Sequence, residues 1–235
     1  IEAIKSLLRC RFFPLQCYPW HKSPPMRQFR YTTPSGIEVI RTVSRLPFRK
    51  GLRAILKDLD RYRGFYLSSG YEYPGRYSRW DIAAIHPPLE IVSRGREVEF
   101  RPLNDRGAVL TGLLSRVLES HPHWAEFRHG EDGLRGVLKP LPALFPEEER
   151  SKQHSAFSIL RALIDEFRHP KESRLALVGA FGFDLLFQFD PIEKKLPRDA
   201  SHKDLHLFFC DEICYMDRKR EVIACYSYDF SAGSR

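Results

Sequence analysis

The sequence predicts an α+β fold with a largely antiparallel sheet and flanking helices. Segments with the alternating pattern of strands outnumber segments with helical spacing, and short hairpin turns rather than regular βαβ crossovers connect them. The chain has 235 residues, of which 43% are hydrophobic and 29% are charged. This balance is enough to bury a core and excludes a disordered chain.

The first half of the chain is predicted to contain strands and two helices. Ile37, Val39 and Val43 alternate as in a half-buried strand, and an amphipathic helix over residues 52–59 follows and ends by Gly64. Further strands are predicted at residues 65–69, 80–85, 89–92 and 97–101, with a hairpin turn at 93–96. A second helix is predicted at about residues 108–119.

The second half begins with a segment, residues 120–146, that is rich in Pro, Gly and His and is predicted to be mostly loop, with one strand at 134–138. A third helix is predicted directly after Pro146, because residues 147–149 are glutamates that would favour the first turn of a helix. Strands are then predicted at 175–178, 205–210, 213–216 and 222–228.

The excess positive charge lies at one end of the chain. The formal net charge is +8, yet residues 1–63 contain 14 Lys and Arg against 4 Asp and Glu, whereas residues 64–235 contain 24 against 26. This distribution predicts a basic, disordered leader at 1–29, a domain at 30–230 and a tail at 231–235 where the sequence looks cut. Charge confined to one end, rather than spread as a stripe, argues against a nucleic-acid partner.

Cysteine usage and hydropathy predict a cytoplasmic protein. Five cysteines are an odd count and too few for a disulfide framework. Cys210 and Cys214 are interpreted as two small buried hydrophobic side chains rather than as metal ligands or a redox pair. The apolar runs are far shorter than the roughly 20 residues of a membrane-spanning helix, so no membrane partner is expected.

Two other motifs are interpreted as structural. The glycines of the segment 179–182 follow a strand but lack the third glycine and the Lys-Ser/Thr pair of phosphate-binding loops, which favours close backbone packing. The histidine-rich segment 121–129 lacks the spacing of zinc ligands, and it is predicted to be a surface loop without a metal.

The strongest candidate site is an aromatic and basic segment that runs to Trp80 and interleaves four aromatic side chains with two arginines. Such a segment can stack on nucleic-acid bases. It can also line a small-molecule pocket, with Ser68 and Ser69 as hydroxyls, Arg76 as a fork for a carboxylate and the aromatics as an apolar wall. An amino acid needs all three kinds of group, which favours the pocket.

The same segment, LSSGYEYPGRYSRWD at residues 67–81, resembles the N-terminal region of anthranilate synthase component I, in the bacterial form that is fused to its glutamine amidotransferase. Three further stretches agree in order and spacing, namely EEERSK at 147–152 leading into residues 157–165, GAFGFDLLFQFD at 179–190 and DEI at 211–213. The resemblance extends over about residues 30–230.

This resemblance implies an α/β sandwich of antiparallel sheets and a place in tryptophan biosynthesis. Enzymes of this family are lyases that make anthranilate and pyruvate from chorismate and glutamine-derived ammonia, and they use Mg²⁺ as a cofactor. The implied partners are a chorismate-binding C-terminal half and the glutamine amidotransferase, either fused or separate. The Mg²⁺ carboxylates and the chorismate-binding residues of the family lie in that C-terminal half. No catalytic or metal-binding residue is therefore assigned in this chain, which is expected to be inactive alone.

The resemblance also implies a feedback site for tryptophan. The Leu-Glu-Ser effector motif of the family falls on Leu67, Ser68 and Ser69, so Ser68 replaces the glutamate that would bind the ligand ammonium. The effector residues that the resemblance implies are Leu67, Ser68, Ser69, Gly70, Arg76, Tyr77 and Ser78.

Two other functions stay open at this point. One is a related chorismate-aminating enzyme, such as aminodeoxychorismate synthase or its phenazine-pathway relative. The other, from a different class, is a nucleic-acid-binding protein with a basic arm, whose binding would weaken steeply with salt.

Overall fold

Two six-stranded antiparallel sheets form the framework of the chain. The computed structural model describes residues 27–68, 79–141, 146, 148–149, 153–189, 195–199 and 201–233. The strands are β1 (Arg27–Thr32), β2 (Ile37–Pro47), β3 (Gly64–Ser68), β4 (Trp80–Ile85), β5 (Leu89–Arg94), β6 (Glu97–Pro102), β7 (Trp124–Gly130), β8 (Gly133–Leu138), β9 (Ala176–Phe181), β10 (Leu205–Cys210), β11 (Glu212–Asp217) and β12 (Val222–Ala232). The helices are α1 (Phe48–Leu59), α2 (Asp105–Leu118) and α3 (Ala156–Phe167), with a 3-10 helix at Phe183–Gln188.

Each sheet combines strands that are distant in the sequence. Sheet A has the order β1-β2-β12-β11-β4-β3, and sheet B has the order β7-β8-β6-β5-β10-β9. The chain passes from sheet B to sheet A at Asp211, between β10 and β11. The last two strands of the chain therefore lie in the middle of sheet A, beside strands from the first third of the chain.

Helices α2 and α3 lie between the two sheets. Helix α2 contacts β5, β6 and β8 of sheet B and β12 of sheet A. At the end of α3, the Phe167 ring is 5.3 Å from the Phe209 ring of sheet B and 5.5 Å from the Phe230 ring of sheet A. One continuous hydrophobic core joins both sheets through these helices.

Helix α1 covers the outer face of sheet A. Its spacing of apolar residues places Ile55, which is fully buried, against Ala83 and Ile85 in a second, smaller core. Gly51 allows the helix to approach the sheet closely, because a Cβ atom at this position would lie 2.8 Å from Cδ1 of Ile223. The sheet is therefore buried on both faces over this area.

The structure confirms the predicted α+β class and most of its elements. Helix α2, the β5–β6 hairpin and strands β4, β10, β11 and β12 lie where the patterns predict them, within a few residues. Helix α1 begins at Phe48, four residues before the predicted start at residue 52, and β3 begins at Gly64, one residue before its predicted start. Strand β1 begins at Arg27 and includes the last residues that we assigned to the leader.

The prediction for residues 120–146 was confirmed for the strand at 134–138, which is β8, but it was wrong for residues 124–130, which form β7 and complete a hairpin instead of a loop. A two-residue turn joins Gly130 to Gly133, and Gly133 has a positive φ of 114°. The ring of Trp124 packs on Gly136, where a Cβ atom would lie 2.5 Å from it. A register shift between Trp124 and Glu126 interrupts the alternation and hides β7 from pattern analysis.

The prediction that the third helix starts after Pro146 was also wrong. Helix α3 starts at Ala156, and the N–H of Ser155 donates a hydrogen bond to Oγ of Ser158 over 3.2 Å. Ser155 and Ser158 thereby fix the helix start, which is typical of residues that cap helices. The helix follows the apolar spacing, which begins only at residue 157. The favourable interaction of the glutamates with the helix dipole was not enough to start it earlier.

Strand β9 is longer than predicted, and the interpretation of Cys214 was wrong. The segment 179–181, which the sequence analysis placed after the strand at 175–178, continues β9. Cys214 is not an independent apolar side chain, because the register of β11 and β12 places it opposite Cys225, to which it is joined by a disulfide. The pairing of two strands at this register could not be read from cysteine spacing.

Candidate effector site

Strands β3 and β4 and the β11–β12 hairpin together form a polar cluster at one end of sheet A. The register places Ser68 of β3 opposite Asp81 of β4, and Asp81 opposite Met216 of β11. Arg218 follows β11 beside Arg79, to whose carbonyl its N–H donates at 2.9 Å, and its side chain extends to Asp81. The cluster consists of Tyr66, Ser68, Asp81 and Arg218, and we call it the Asp81 cluster.

Hydrogen bonds link all members of the Asp81 cluster. Oδ2 of Asp81 accepts from the Tyr66 hydroxyl at 2.8 Å and from Nε of Arg218 at 2.7 Å, while Oδ1 accepts from Oγ of Ser68 at 3.0 Å. Nη2 of Arg218 donates to Oγ of Ser68 at 2.8 Å. The hydrogen bond to Asp81 raises the pKa of the Arg218 guanidinium, which stays charged. The carboxylate thus fixes both hydroxyls and the arginine.

A second ion pair lies beside the Arg218–Asp81 pair. Nη2 of Arg79, the residue before β4, lies 2.8 Å from Oδ2 of Asp217. The segment 79–81 and the β11–β12 hairpin therefore each contribute one arginine and one aspartate. The Asp217 carboxylate accepts backbone N–H groups of Lys219 and Arg220 at 3.1 Å and closes the hairpin turn. Arg79 holds the pKa of Asp217 below its usual value. The two pairs lock the hairpin to β4, and the Arg79 guanidinium lies 4.8 Å from the ring centre of Trp80.

Arg218 is the member of the Asp81 cluster that can reach a ligand. The Asp81 side chain is only 1% exposed and already accepts three hydrogen bonds, whereas the Arg218 side chain is 42% exposed. A guanidinium held by a buried carboxylate has a fixed orientation, and its free N–H groups can bind a carboxylate ligand. Ser68, which is exposed, adds a hydroxyl beside it. The arrangement is suited to binding an anion, not to proton transfer.

Leu67 lies on the opposite face of β3, because successive side chains of a strand alternate. Its register partner is Ile82, which in turn lies opposite Tyr215 of β11. The Arg174 guanidinium lies 4.5 Å from the ring centre of Tyr215, and the Leu67 side chain is 50% exposed. The structure therefore does not bring Leu67 and Ser68 into one cluster. Of the other implied effector residues, Ser69, Gly70, Arg76, Tyr77 and Ser78 lie outside the described residues.

Sequence analysis missed Arg218 as a site residue. It occurs in the turn DRKR at 217–220, which indicates only a polar hairpin. The pairing of β11 with β4, which brings Arg218 to Asp81, joins segments 137 residues apart. No local pattern predicts this pairing. The contact between Ser68 and Asp81, in contrast, follows from the register of β3 and β4, which are close in the sequence.

The glycine segment has the predicted packing role, whereas residues 124–129 of the histidine-rich segment lie in β7 and not in the predicted surface loop. A Cβ atom on Gly179 would lie 2.0 Å from the carbonyl oxygen of His206, so this glycine allows β9 to pack closely on β10. The rings of His121 and His123 are 5.1 Å apart, and His123 stacks on His154 at 5.0 Å. Burial lowers the pKa of both His121 and His123, which favours neutral rings.

The described residues contain neither a candidate metal cluster nor a candidate membrane-spanning helix. No group of three or more His, Cys, Asp or Glu side chains among them could hold a metal ion, so we derive no Mg²⁺ site from this part of the chain. No helix in the described ranges is long and apolar enough to cross a membrane.

Comparison with known proteins finds similarity over most of the chain. No family model matches the chain. The chain is 36% identical over 211 residues to a protein named anthranilate synthase from Azospirillum brasilense. This similarity supports a region like that of anthranilate synthase component I. The alignment covers 89% of this chain and 29% of the relative, so the chain spans less than a third of that protein.

Proposed function

We propose that the chain is the N-terminal, regulatory part of an anthranilate synthase, which acts in tryptophan biosynthesis. The observation that carries the proposal is the identity of 36% over 89% of the chain with the anthranilate synthase of Azospirillum brasilense. The complete enzyme would make anthranilate and pyruvate from chorismate and glutamine-derived ammonia. Its chorismate-binding half and its glutamine amidotransferase would be the partners of this domain, and its Mg²⁺ would bind outside the described residues.

The Asp81 cluster supports a role in effector binding. Ser68 stands where the family has its effector glutamate, and the structure supplies a carboxylate from the opposite strand at Asp81, 3.0 Å away. Because Asp81 is buried and engaged by Arg218, its role is to orient the arginine. In this proposal, Arg218 binds the carboxylate of tryptophan and the Ser68 hydroxyl accepts a hydrogen bond from its ammonium.

Thermal unfolding of the chain with and without L-tryptophan tests the proposal. A ligand that binds only the folded state at a concentration of 100 times its Kd adds about 2.7 kcal/mol of stability. For a domain of this length, that corresponds to a rise of roughly 5–10 °C in Tm. L-phenylalanine at the same concentration serves as the comparison ligand and should give a much smaller rise.

Variants of the hairpin localise the binding. Arg218→Lys keeps a charge beside Asp81 but removes the planar fork, so the affinity for tryptophan should fall by about tenfold or more. Arg220→Lys, in the same turn and with a side chain that is 77% exposed, should bind as the unmodified chain does. A folded chain whose Tm does not respond to tryptophan would contradict the regulatory role, and it would favour a related chorismate-aminating enzyme.

A further inference from the structure

The two cysteines of the disulfide occupy the centre of sheet A. Cys214 of β11 lies directly opposite Cys225 of β12, with the Cα atoms 4.1 Å apart. Tyr228 N–H donates to the Asp211 carbonyl three positions away, and antiparallel hydrogen-bonded pairs alternate with non-hydrogen-bonded pairs. The cysteines therefore form a non-hydrogen-bonded pair, in which side chains approach most closely. The sheet itself holds the two sulfur atoms together.

One helix separates this pair from solvent. Both cysteines are almost fully buried in the smaller core, under α1, and Ile55 of α1 packs in the same core. The start of α1 is weakly fixed, because Pro47 makes no side-chain capping hydrogen bond and the first turn contains no acidic residue. It contains Arg49 and Lys50 instead, and cations are unfavourable at this end of the helix dipole. Helix α1 is therefore the element whose local opening can expose the pair.

We propose that Cys214 and Cys225 are a reversible thiol–disulfide site that exchanges with small thiols and disulfides such as glutathione when α1 opens. In oxidation, the thiolate of one cysteine attacks a sulfur of the small disulfide, forms a mixed disulfide and displaces one small thiolate. The second cysteine then attacks the mixed disulfide and displaces the second small thiolate. Two protein thiols and one small disulfide give one protein disulfide and two small thiols, and the two protons end on the released thiols.

The structure contains a matched cysteine that cannot take part. Cys210 is fully buried, is a free thiol and is followed by the corner between the two sheets. Burial raises the pKa of the Cys210 thiol far above its usual value, which suppresses its thiolate. Cys210 is thus an internal control for burial without a partner, four residues from Cys214.

Oxidation is expected to change stability as well as chemistry. The disulfide closes a loop with a sequence separation of 11 residues. In the chain-entropy description, closing such a loop shifts the folding equilibrium constant by about 100-fold in favour of the folded state. Because β11 and β12 are the two central strands of sheet A, we expect the disulfide to stabilise the whole sheet and not only this hairpin. The site would couple the stability of the domain to the thiol–disulfide balance around it, and this inference does not rest on the proposed function.

The test equilibrates the full chain in glutathione buffers that range from fully reducing to oxidising, and then blocks free thiols with an alkylating reagent. Peptide mapping by mass spectrometry reads each cysteine separately, so Cys10 and Cys17 do not interfere. We expect Cys214 and Cys225 to become protected together, with a dependence on the square of the thiol concentration over the disulfide concentration, while Cys210 stays a thiol. Two thiols that remain in the most oxidising buffer would overturn the proposal.

Two helix variants test the route of access. Ile55→Ala, at a fully buried position of α1, should accelerate reduction by at least about tenfold, whereas Leu56→Ala, at a position that is 43% exposed on the same helix, should leave the rate unchanged. If Ile55→Ala does not fold, Ile55→Val gives a smaller acceleration in the same direction. Reduction at the rate of global unfolding in all variants would overturn the proposal, because exchange would then require the unfolded chain.

Discussion

The buried carboxyl pair Asp211 and Glu212 predicts an unusual pH dependence of stability. Burial raises the pKa of Asp211 to about 7 and that of Glu212 to about 8, and the proximity of Asp211 adds to the second shift. Arg106, whose Nε lies 3.2 Å from Oδ2 of Asp211, opposes both shifts but does not cancel them. At neutral pH, Glu212 is therefore protonated in the folded chain and ionised in the unfolded one.

The expected magnitude follows from proton linkage. Both carboxyls bind protons more tightly in the folded state, so the free energy of unfolding falls as the pH rises through their raised pKa values. Between pH 7 and pH 9, Glu212 loses its extra proton, which lowers the free energy of unfolding by roughly 1–2 kcal/mol, and Asp211 adds a smaller loss. The loss for the pair is about 2 kcal/mol.

The substitution Glu212→Gln isolates this effect, because glutamine has the shape and the neutral charge of the protonated glutamate. Urea unfolding should show that the variant is already more stable than the unmodified chain at pH 7, because the unmodified chain must bind a proton at Glu212 in order to fold. This advantage should grow by roughly a further 1–2 kcal/mol between pH 7 and pH 9. Cys210 also keeps its proton in the folded state, but this contribution is common to both proteins.

A matched control is Glu126→Gln, because the Glu126 side chain is 62% exposed on β7 and its substitution should change stability by less than about 0.5 kcal/mol at either pH. If Glu212→Gln were destabilising by the same amount at pH 7 and pH 9, Glu212 would be ionised in the folded chain, and the reasoning from burial would be refuted.

Two further outcomes are expected. Gln188→Ala should destabilise the chain by about 2–4 kcal/mol in urea unfolding. The buried Gln188 side chain accepts a hydrogen bond from the Ala156 N–H at 2.9 Å and donates to Oγ of Ser93 and the Gly95 carbonyl, and all three groups would lose this partner. A change below about 0.5 kcal/mol would show that water replaces the side chain. The isolated chain should make no anthranilate from chorismate, and an ammonia- and Mg²⁺-dependent anthranilate fluorescence signal from the purified chain would contradict its assignment as a regulatory part.

The sequence predicts the fold class because local signals dominate in most elements. Helix α2 has a regular apolar face, and Oδ1 of Asn104 accepts from the Gly107 N–H at 3.1 Å to cap it. The β5–β6 hairpin has a glycine at its turn, Gly95, with a positive φ of 56°. Where the signal depends on a bulge, as in β7, or on competition between a charge and an apolar spacing, as at the start of α3, the local pattern gives the wrong boundary.

The candidate site could be predicted only in part, since half of it is nonlocal. Ser68 and Asp81 lie in adjacent strands that are close in sequence, so their contact follows from a hairpin-like register. Arg218 comes from the other end of the chain and reaches Asp81 only because β11 pairs with β4. The disulfide, in contrast, lies within the local β11–β12 hairpin, and it is the exact register of that hairpin that cysteine spacing did not reveal.

Strand β11 unites these features, which argues that it connects stability with the proposed regulation. It begins at Glu212, carries Cys214 in the middle and ends at Asp217, directly before Arg218. Strand β12 pairs with it over residues 222–227 and β4 over residues 80–83, so a change of register or twist in β11 would move the Arg218 guanidinium relative to Asp81. A proton taken up at one end, or a disulfide formed in the middle, would act on the same strand that positions Arg218, the arginine proposed to bind the effector, at the other end.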